Sequence, residues 1–121
     1  MPAPKDTNER AFEYYDRLGQ IKRFVEEHYT EEISLEKAAR MAGLERKYFS
    51  TFFHRKVGVG FKHWLTRVRI ARAIDLIKTK DRTITEIALS AGFTDLRTFE
   101  RAFKKYTNLT PREFKNSVRP S

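Results

Sequence analysis

Apolar residues recur at spacings of three and four along almost the whole chain, which is the period of an amphipathic α-helix. The sustained alternation of apolar and polar residues that marks a half-buried strand is missing. The longest helical pattern covers residues 61–78, with apolar positions at Phe61, Trp64, Leu65, Val68, Ala71, Ile74 and Ile77. The pattern therefore predicts an all-α fold of about seven helices, including one long helix of about 27 Å over residues 61–78.

Capping residues and glycines mark where the other helices begin and end. A first helix starts after residue 8 or near residue 17 and reaches about residue 29; Gly19 counts against its early part, because an interior glycine costs about 1 kcal/mol relative to alanine. Ser34 and Thr83 are candidate N-caps. The remaining helices are predicted over residues 34–43, 45–56, 83–92 and 95–106, and from Thr110-Pro111 onward, where proline suits the first helical position.

The sequence contains an internal repeat. Residues 34–44 (SLEKAARMAGL) align with residues 83–93 (TITEIALSAGF) at an offset of 49. Beyond the turn the offset is 50, and the corresponding pairs are Phe49 and Phe99, Phe53 and Phe103, Arg55 and Lys105, and Trp64 and Phe114. The second copy therefore has one more residue in its turn.

Each copy has the sequence features of a helix-turn-helix unit. The alanines let two helices approach closely, and the glycine permits a left-handed backbone in the turn. The phenylalanines, like Trp64, have the spacing of a buried stripe, so they anchor the second helix and leave its other face free to enter a major groove. One copy alone would also fit an αα-hairpin in any small bundle, whereas two copies with polar and basic outer faces favour DNA binding.

The positive charge is concentrated in one part of the chain. The net charge is +9, but residues 1–44 carry 7 basic and 9 acidic groups, whereas residues 45–121 carry 18 and 7. A positive field concentrated in this way favours a polyanion, either nucleic acid or an anionic membrane surface. A merely soluble cationic surface is the alternative that charge alone leaves open.

The motifs of the second half resemble the AraC/XylS family of bacterial transcription regulators. The most specific segments are IALSAGF (residues 87–93), FERAFKKY (99–106) and LTPREF (109–114), and WLTRVRIARA (64–73) resembles the linking helix of that family. The resemblance covers about residues 21–118. Asn108 stands where the family usually has glycine and is expected to adopt the same left-handed conformation, and Phe114 replaces a common tyrosine.

The repeat and the resemblance together predict the domain organisation. Residues 1–16 form an N-terminal extension, partly disordered or the start of the first helix. Residues 17–60 and 79–118 form two helix-turn-helix subdomains, residues 61–78 link them, and residues 119–121 form a tail. If the linking helix holds the two recognition helices about 34 Å apart, one chain occupies consecutive major grooves of an asymmetric site of about 20 base pairs.

The repeat also predicts which residues read bases. One face of each second helix lies opposite the phenylalanines, and its residues have the spacing i, i+3, i+4, i+7: Lys47, Ser50, Thr51 and His54 in the first copy, and Arg97, Glu100, Arg101 and Lys104 in the second. The resemblance implies the same faces, with Leu96 touching a thymine methyl group. Flanking cations suit phosphates, which fix the register of the protein on DNA: Arg46, Arg55, Lys56, Lys105, Arg112 and Lys115.

The sequence argues against an enzyme and predicts no cofactor or metal. His28, His54 and His63 lie in no ligand spacing, and the chain has neither cysteine nor a glycine-rich phosphate loop. No apolar run approaches the roughly 20 residues that span a bilayer. We therefore expect a non-enzymatic, cytoplasmic protein of the bacterial nucleoid.

Double-stranded DNA is the expected partner, with a monomer sufficient to bind it. The resemblance leaves open a contact with RNA polymerase and dimerisation through a separate domain. The alternative function is that of a basic helical module binding RNA or an anionic membrane surface.

Overall fold

A computed structural model describes residues 7–119 of the chain. This part contains eight helices and no strand: α1 (Arg10–Tyr14), α2 (Asp16–His28), α3 (Leu35–Met41), α4 (Arg46–Val57), α5 (Phe61–Thr79), α6 (Ile84–Ser90), α7 (Leu96–Thr107) and α8 (Pro111–Val118). The predicted all-α class is confirmed. The helix beyond the expected seven is α1, because Tyr15 is extended (φ −104°, ψ 113°) and separates α1 from α2.

The chain forms two compact units. The first ends at Leu65 and the second begins at Thr66, so the boundary lies inside α5. The first unit contains α1–α4 and the first residues of α5, and the second contains the rest of α5 with α6–α8. Each unit therefore combines one helix-turn-helix pair with residues of α5.

An aromatic cluster forms the core of the first unit. Phe53 is fully buried in α4, and its ring lies 5.6 Å from that of Trp64 and 6.0 Å from that of Phe12. Phe49, one turn earlier in α4, is also fully buried. Phe52, which precedes Phe53 in α4, is only half-buried. Trp64 is buried as predicted, so the rings of α4 and α5 hold the first unit together.

The second unit repeats this packing with different residues. Phe99 and Phe103 of α7 are fully buried, and the rings of Phe103 and Phe114 lie 5.6 Å apart. This spacing equals that between Phe53 and Trp64, the residues that the repeat pairs with Phe103 and Phe114. The duplication seen in the sequence is therefore a duplication of core contacts.

The predicted apolar stripe of α5 does not continue along the whole helix. Ala71 is exposed and Val68 is only half-buried. Ile70, Ala73 and Leu76, which the stripe omitted, are instead buried in the core of the second unit. The prediction is wrong at Val68 and Ala71 because it continued one apolar stripe along the whole helix, whereas the second half of α5 packs into a different core from the first half.

The predicted helix starts are confirmed at equivalent positions. The Ser34 hydroxyl accepts the Lys37 backbone N–H at 3.0 Å, and the Thr83 hydroxyl accepts that of Glu86 at 3.1 Å. Pro111 is the first residue of α8, and Asn108 after α7 has a positive φ of 66°, as expected for a residue that replaces glycine. Local capping chemistry thus fixes most helix ends.

The expected N-terminal extension contains part of the first core. Ala11 and Phe12 in α1 are buried. Glycine at position 19 allows close packing here, because a Cβ there would lie 2.9 Å from the Phe12 carbonyl oxygen. The disorder expected within residues 1–16 falls in part on residues 1–6, which lie outside the described residues, as do the tail residues 120–121.

We expect Gly19→Ala to destabilise the first unit by about 1–2 kcal/mol, because steric overlap with the Phe12 carbonyl exceeds the gain in helix propensity. Urea unfolding followed by the fluorescence of Trp64 measures this change. Gly60→Ala is the matched control, since no atom lies within 4 Å of a Cβ there, and its expected change is below about 1 kcal/mol. Equal unfolding midpoints for Gly19→Ala and the unaltered chain would contradict the steric explanation.

Candidate nucleic-acid interface

Each unit presents a pair of helices with a short connection: α3 and α4 in the first, α6 and α7 in the second. Four residues separate the first pair and five the second, which confirms the extra turn residue of the second copy. A carboxylate caps the second helix of each pair. Glu45 accepts the Lys47 backbone N–H at 2.7 Å, and Asp95 accepts that of Thr98 at 2.7 Å.

The predicted reading face of α4 is largely open to solvent. Lys47, Thr51 and His54 are exposed, whereas Ser50 is half-buried at the edge of this face. The opposite face is held in the core by Phe49 and Phe53. The residues that sequence reasoning selected thus share one exposed surface, except that Ser50 is less accessible than its neighbours.

Tyr48 is an exposed residue that the sequence reasoning missed. Its side chain is 62% exposed in the first turn of α4, and its ring stacks on that of Phe52 at 6.3 Å and 9°. The sequence analysis assigned aromatic residues at helical spacing to the core, and for that reason it did not select Tyr48. Its neighbours Lys47 and Thr51, both polar and on the reading face, were the signal that could have found it.

The reading face of α7 is more strongly charged. Leu96, Arg97, Glu100, Arg101 and Lys104 are all exposed. An open groove of about 790 Å³ is lined by Leu96 and Glu100 together with residues of α6 and α8. A neighbouring depression of about 480 Å³ is lined by Glu100, Arg101 and Lys104. Leu96, Glu100, Arg101 and Lys104 therefore lie along two depressions that share Glu100, and Arg97 is exposed on the same helix.

Asp95 combines a cap with an electrostatic contact to this face. Hydrogen bonds from the backbone N–H and then from the hydroxyl of Thr98 hold the pKa of Asp95 below its ordinary value; Thr94 and the positive charge of Arg101 act in the same direction. The carboxylate is therefore ionised at neutral pH. It fixes the start of α7 and places a negative charge near Arg101.

The cations assigned to phosphate differ in their surroundings. Arg46 forms an ion pair with Glu36 at 3.6 Å, and the ammonium groups of Lys56 and Lys105 lie over the rings of Tyr15 at 5.3 Å and Tyr106 at 5.9 Å. Arg55 is exposed on α4. Exposed Arg112 and half-buried Lys115 both line the groove that contains Leu96 and Glu100, and the Lys115 ammonium donates to the Arg82 carbonyl at 2.9 Å. Two cations of α8 thus lie beside the second reading face.

A side chain of α2 forms hydrogen bonds with the turn between α3 and α4. The Arg17 guanidinium donates to the carbonyl oxygens of Ala42 at 3.0 Å and of Gly43 at 3.4 Å. Gly43 has a positive φ of 70°, and the equivalent Gly92 in the second unit has a φ of 102°. The left-handed glycines predicted for both turns are therefore confirmed.

Comparison with known proteins identifies the family of this arrangement. A family model described as a helix-turn-helix domain matches residues 38–117, which run from within α3 to within α8. The chain belongs to the AraC-type helix-turn-helix family. The AraC-type assignment confirms the interpretation of the sequence as a sequence-specific DNA-binding domain of a transcription regulator.

Three similar proteins illustrate the relationship. An uncharacterized HTH-type transcriptional regulator of Staphylococcus aureus is 38% identical over 101 residues, which are 83% of this chain and 13% of that protein. A probable AraC family regulator from Rhodopseudomonas palustris has a TM-score of 0.77 and 26% identity over 88% of this chain and all of that chain. The DNA-binding domain of AdpA, solved with a target DNA, has a TM-score of 0.81 and 24% identity over 88% of this chain and 99% of that chain.

The AraC-type chain spans about one eighth of the Staphylococcus aureus relative, so the comparison concerns the domain. The family and these relatives are transcription regulators. Among residues 7–119, no helix is long and apolar enough to cross a bilayer.

The Asp95 cap predicts a pH dependence of stability. Because its pKa is lower in the folded AraC-type domain than the ordinary 3.8, the cap stabilises the fold above that value and loses its contribution as the pH falls through the lowered pKa. Asparagine caps helices as well as aspartate but does not titrate. We therefore expect Asp95→Asn to lose less stability than the unaltered chain between pH 4 and pH 2 in urea-unfolding measurements. Parallel losses would show that Asp95 does not contribute to acid sensitivity.

Proposed function

We propose that one chain reads an asymmetric DNA site of about 20 base pairs by placing α4 and α7 in two consecutive major grooves. The observation that carries the proposal is the duplication of an exposed polar face opposite a buried phenylalanine pair. Phe49 and Phe53 anchor α4, and Phe99 and Phe103 anchor α7. Residues 17–60 and 79–118 are then the two DNA-binding subdomains, and residues 61–78 link them. The related AdpA domain, which shares this fold, was solved with its target DNA.

In this proposal the second subdomain discriminates more strongly between bases than the first. The forked guanidinium groups of Arg97 and Arg101 match the O6 and N7 acceptors of guanine, and Glu100 accepts from the N4 amino group of cytosine. Leu96, exposed at the start of α7, packs against a thymine methyl group. Lys104 completes this set one turn further along α7. Four of these five side chains are charged, so mismatched bases carry a larger penalty here.

The first subdomain reads with a more polar and less charged face. Lys47 donates to guanine, and Thr51 and His54 make short contacts to base edges. Ser50 adds a contact at the margin of this face. We add Tyr48 to the set, because its exposed ring is held by Phe52 beside Lys47 and Thr51. Its hydroxyl is a donor for the DNA backbone at the edge of the groove.

Six cations fix the register of the protein on the duplex: Arg46, Arg55, Lys56, Lys105, Arg112 and Lys115. Their contacts are to phosphates and carry little sequence information. Arg112 and Lys115 are supported by their position beside the groove that contains Leu96 and Glu100. Because each phosphate contact releases a counterion, binding weakens steeply as the salt concentration rises.

A hydroxyl-radical footprint on a duplex selected from a random library tests the two-groove reading. We expect two protected regions separated by one helical turn, about 10 base pairs, within a site that has no inverted repeat. A single protected groove, or a strict palindrome, would refute the proposal. Competition with structured RNA and with anionic vesicles at the same salt concentration separates DNA reading from the two alternative functions of a basic helical module.

Substitutions of Arg101 and Lys105 distinguish base readers from phosphate contacts. We expect Arg101→Ala to weaken binding to the selected duplex by about 1–3 kcal/mol and to relax the preference at one base position. Lys105→Ala, the matched control one turn along α7, is expected to weaken all sequences about equally and to lower the salt dependence by about one phosphate contact. An unchanged base preference in Arg101→Ala would remove this residue from the reading set.

A further inference from the structure

We infer that residues 8–15 are a positioning segment for α4 and thereby control recognition of the first half-site alone. This inference rests on the proposed function, because it concerns how the first reading helix is held. The segment precedes the repeated part of the sequence and lies outside the residues that the family model matches. Its contacts to α4 occur at two separate places along that helix.

The first contact is at the carboxyl end of α4. The Asn8 backbone N–H donates to the Val57 carbonyl at 2.7 Å, and the Asn8 side-chain amide donates to the Lys56 carbonyl at 3.3 Å. The last carbonyl groups of a helix have no partner within the helix, so they accept such donors. Asn8 therefore caps the reading helix from a point 48 residues away in the sequence.

The second contact is in the middle of α4. The Phe12 ring lies 6.0 Å from that of Phe53 and 5.0 Å from that of Trp64, and the Tyr15 ring meets that of Phe52 edge-on at 5.4 Å. Contacts at both the middle and the end of a helix restrain its rotation about its axis as well as its tilt. The residues restrained in this way lie in the same helix as Lys47, Thr51 and His54.

The corresponding end of α7 has local hydrogen bonds, and the Arg67 guanidinium of α5 lies over its Tyr106 ring at 5.4 Å. The Thr107 hydroxyl donates to the Phe103 carbonyl at 2.8 Å, and the Asn108 backbone N–H donates to the Lys104 carbonyl at 2.8 Å. Both bonds join residues only four apart. The local cap is common to both reading helices, because the Gly58 backbone N–H donates to the His54 carbonyl at 2.9 Å in α4. Since the contacts of residues 8–15 described above are made to α4, a change in this segment should affect the two half-sites unequally.

The test compares Asn8→Pro, which removes the backbone donor and the side-chain amide, with Asn8→Ala, which removes only the amide. Glu13→Ala is the matched control, because Glu13 lies in the same segment and is exposed. Affinities are measured for the intact site and for two sites in which one or the other half is scrambled. The ratio of the affinities for intact and scrambled sites gives the discrimination at each half-site.

We expect Asn8→Pro to lower discrimination at the first half-site by about three- to tenfold, as expected for the loss of one or two hydrogen bonds that fix a helix. Asn8→Ala should have a smaller effect in the same direction, and discrimination at the second half-site should stay within about twofold for every variant. Trp64, the single tryptophan, is buried in the first core, so its fluorescence shows whether that core remains folded.

Selective loss at the first half-site with unchanged Trp64 fluorescence supports the inference. Equal losses at both half-sites, no loss in Asn8→Pro, or a loss that appears only when Trp64 becomes exposed would overturn it. Failure of the proposed function gives a different result, since the unaltered chain would then discriminate at neither half-site.

Discussion

The structure depends on the burial of two phenylalanines on one face of each recognition helix. Phe49 and Phe53 in α4, and Phe99 and Phe103 in α7, are fully buried. Burying one such side chain contributes about 1.5–3 kcal/mol. Since the paired rings lie one turn apart, they fix which way each helix faces, and the opposite side is left to polar residues. The same interaction that stabilises each unit thus selects the surface available to DNA.

The residues that cap the helices differ between the two units, but they provide the same kinds of hydrogen bond and backbone conformation. Serine and threonine cap α3 and α6, and glutamate and aspartate cap α4 and α7. Gly58 and Asn108 end the recognition helices in the left-handed conformation. Any residue that provides the required acceptor or tolerates the required backbone can occupy such a position. The duplication has therefore kept its geometry while its sequence diverged.

The two units differ in the contacts that they receive from residues outside the repeat. Arg17 holds the turn of the first unit, and Asn8 and Phe12 contact α4. The second unit instead receives residues 66–79 of α5, whose Ile70, Ala73 and Leu76 complete its core. In the proposed function these differences make the two readers unequal: the second is more charged, and the first depends on a segment distant in the sequence.

The sequence by itself determined the helical class, the duplication, the caps at Ser34 and Thr83 and the anchoring phenylalanines, because each of these rests on interactions within a few residues or on a periodicity of one helix. It also selected exposed faces on α4 and α7, apart from Tyr48 and the half-buried Ser50. Only the tertiary structure decided that Phe12 belongs to the first core and that the apolar stripe of α5 changes at its middle. These features depend on contacts between residues far apart in the chain, and a local pattern of apolar positions does not specify which core a side chain enters.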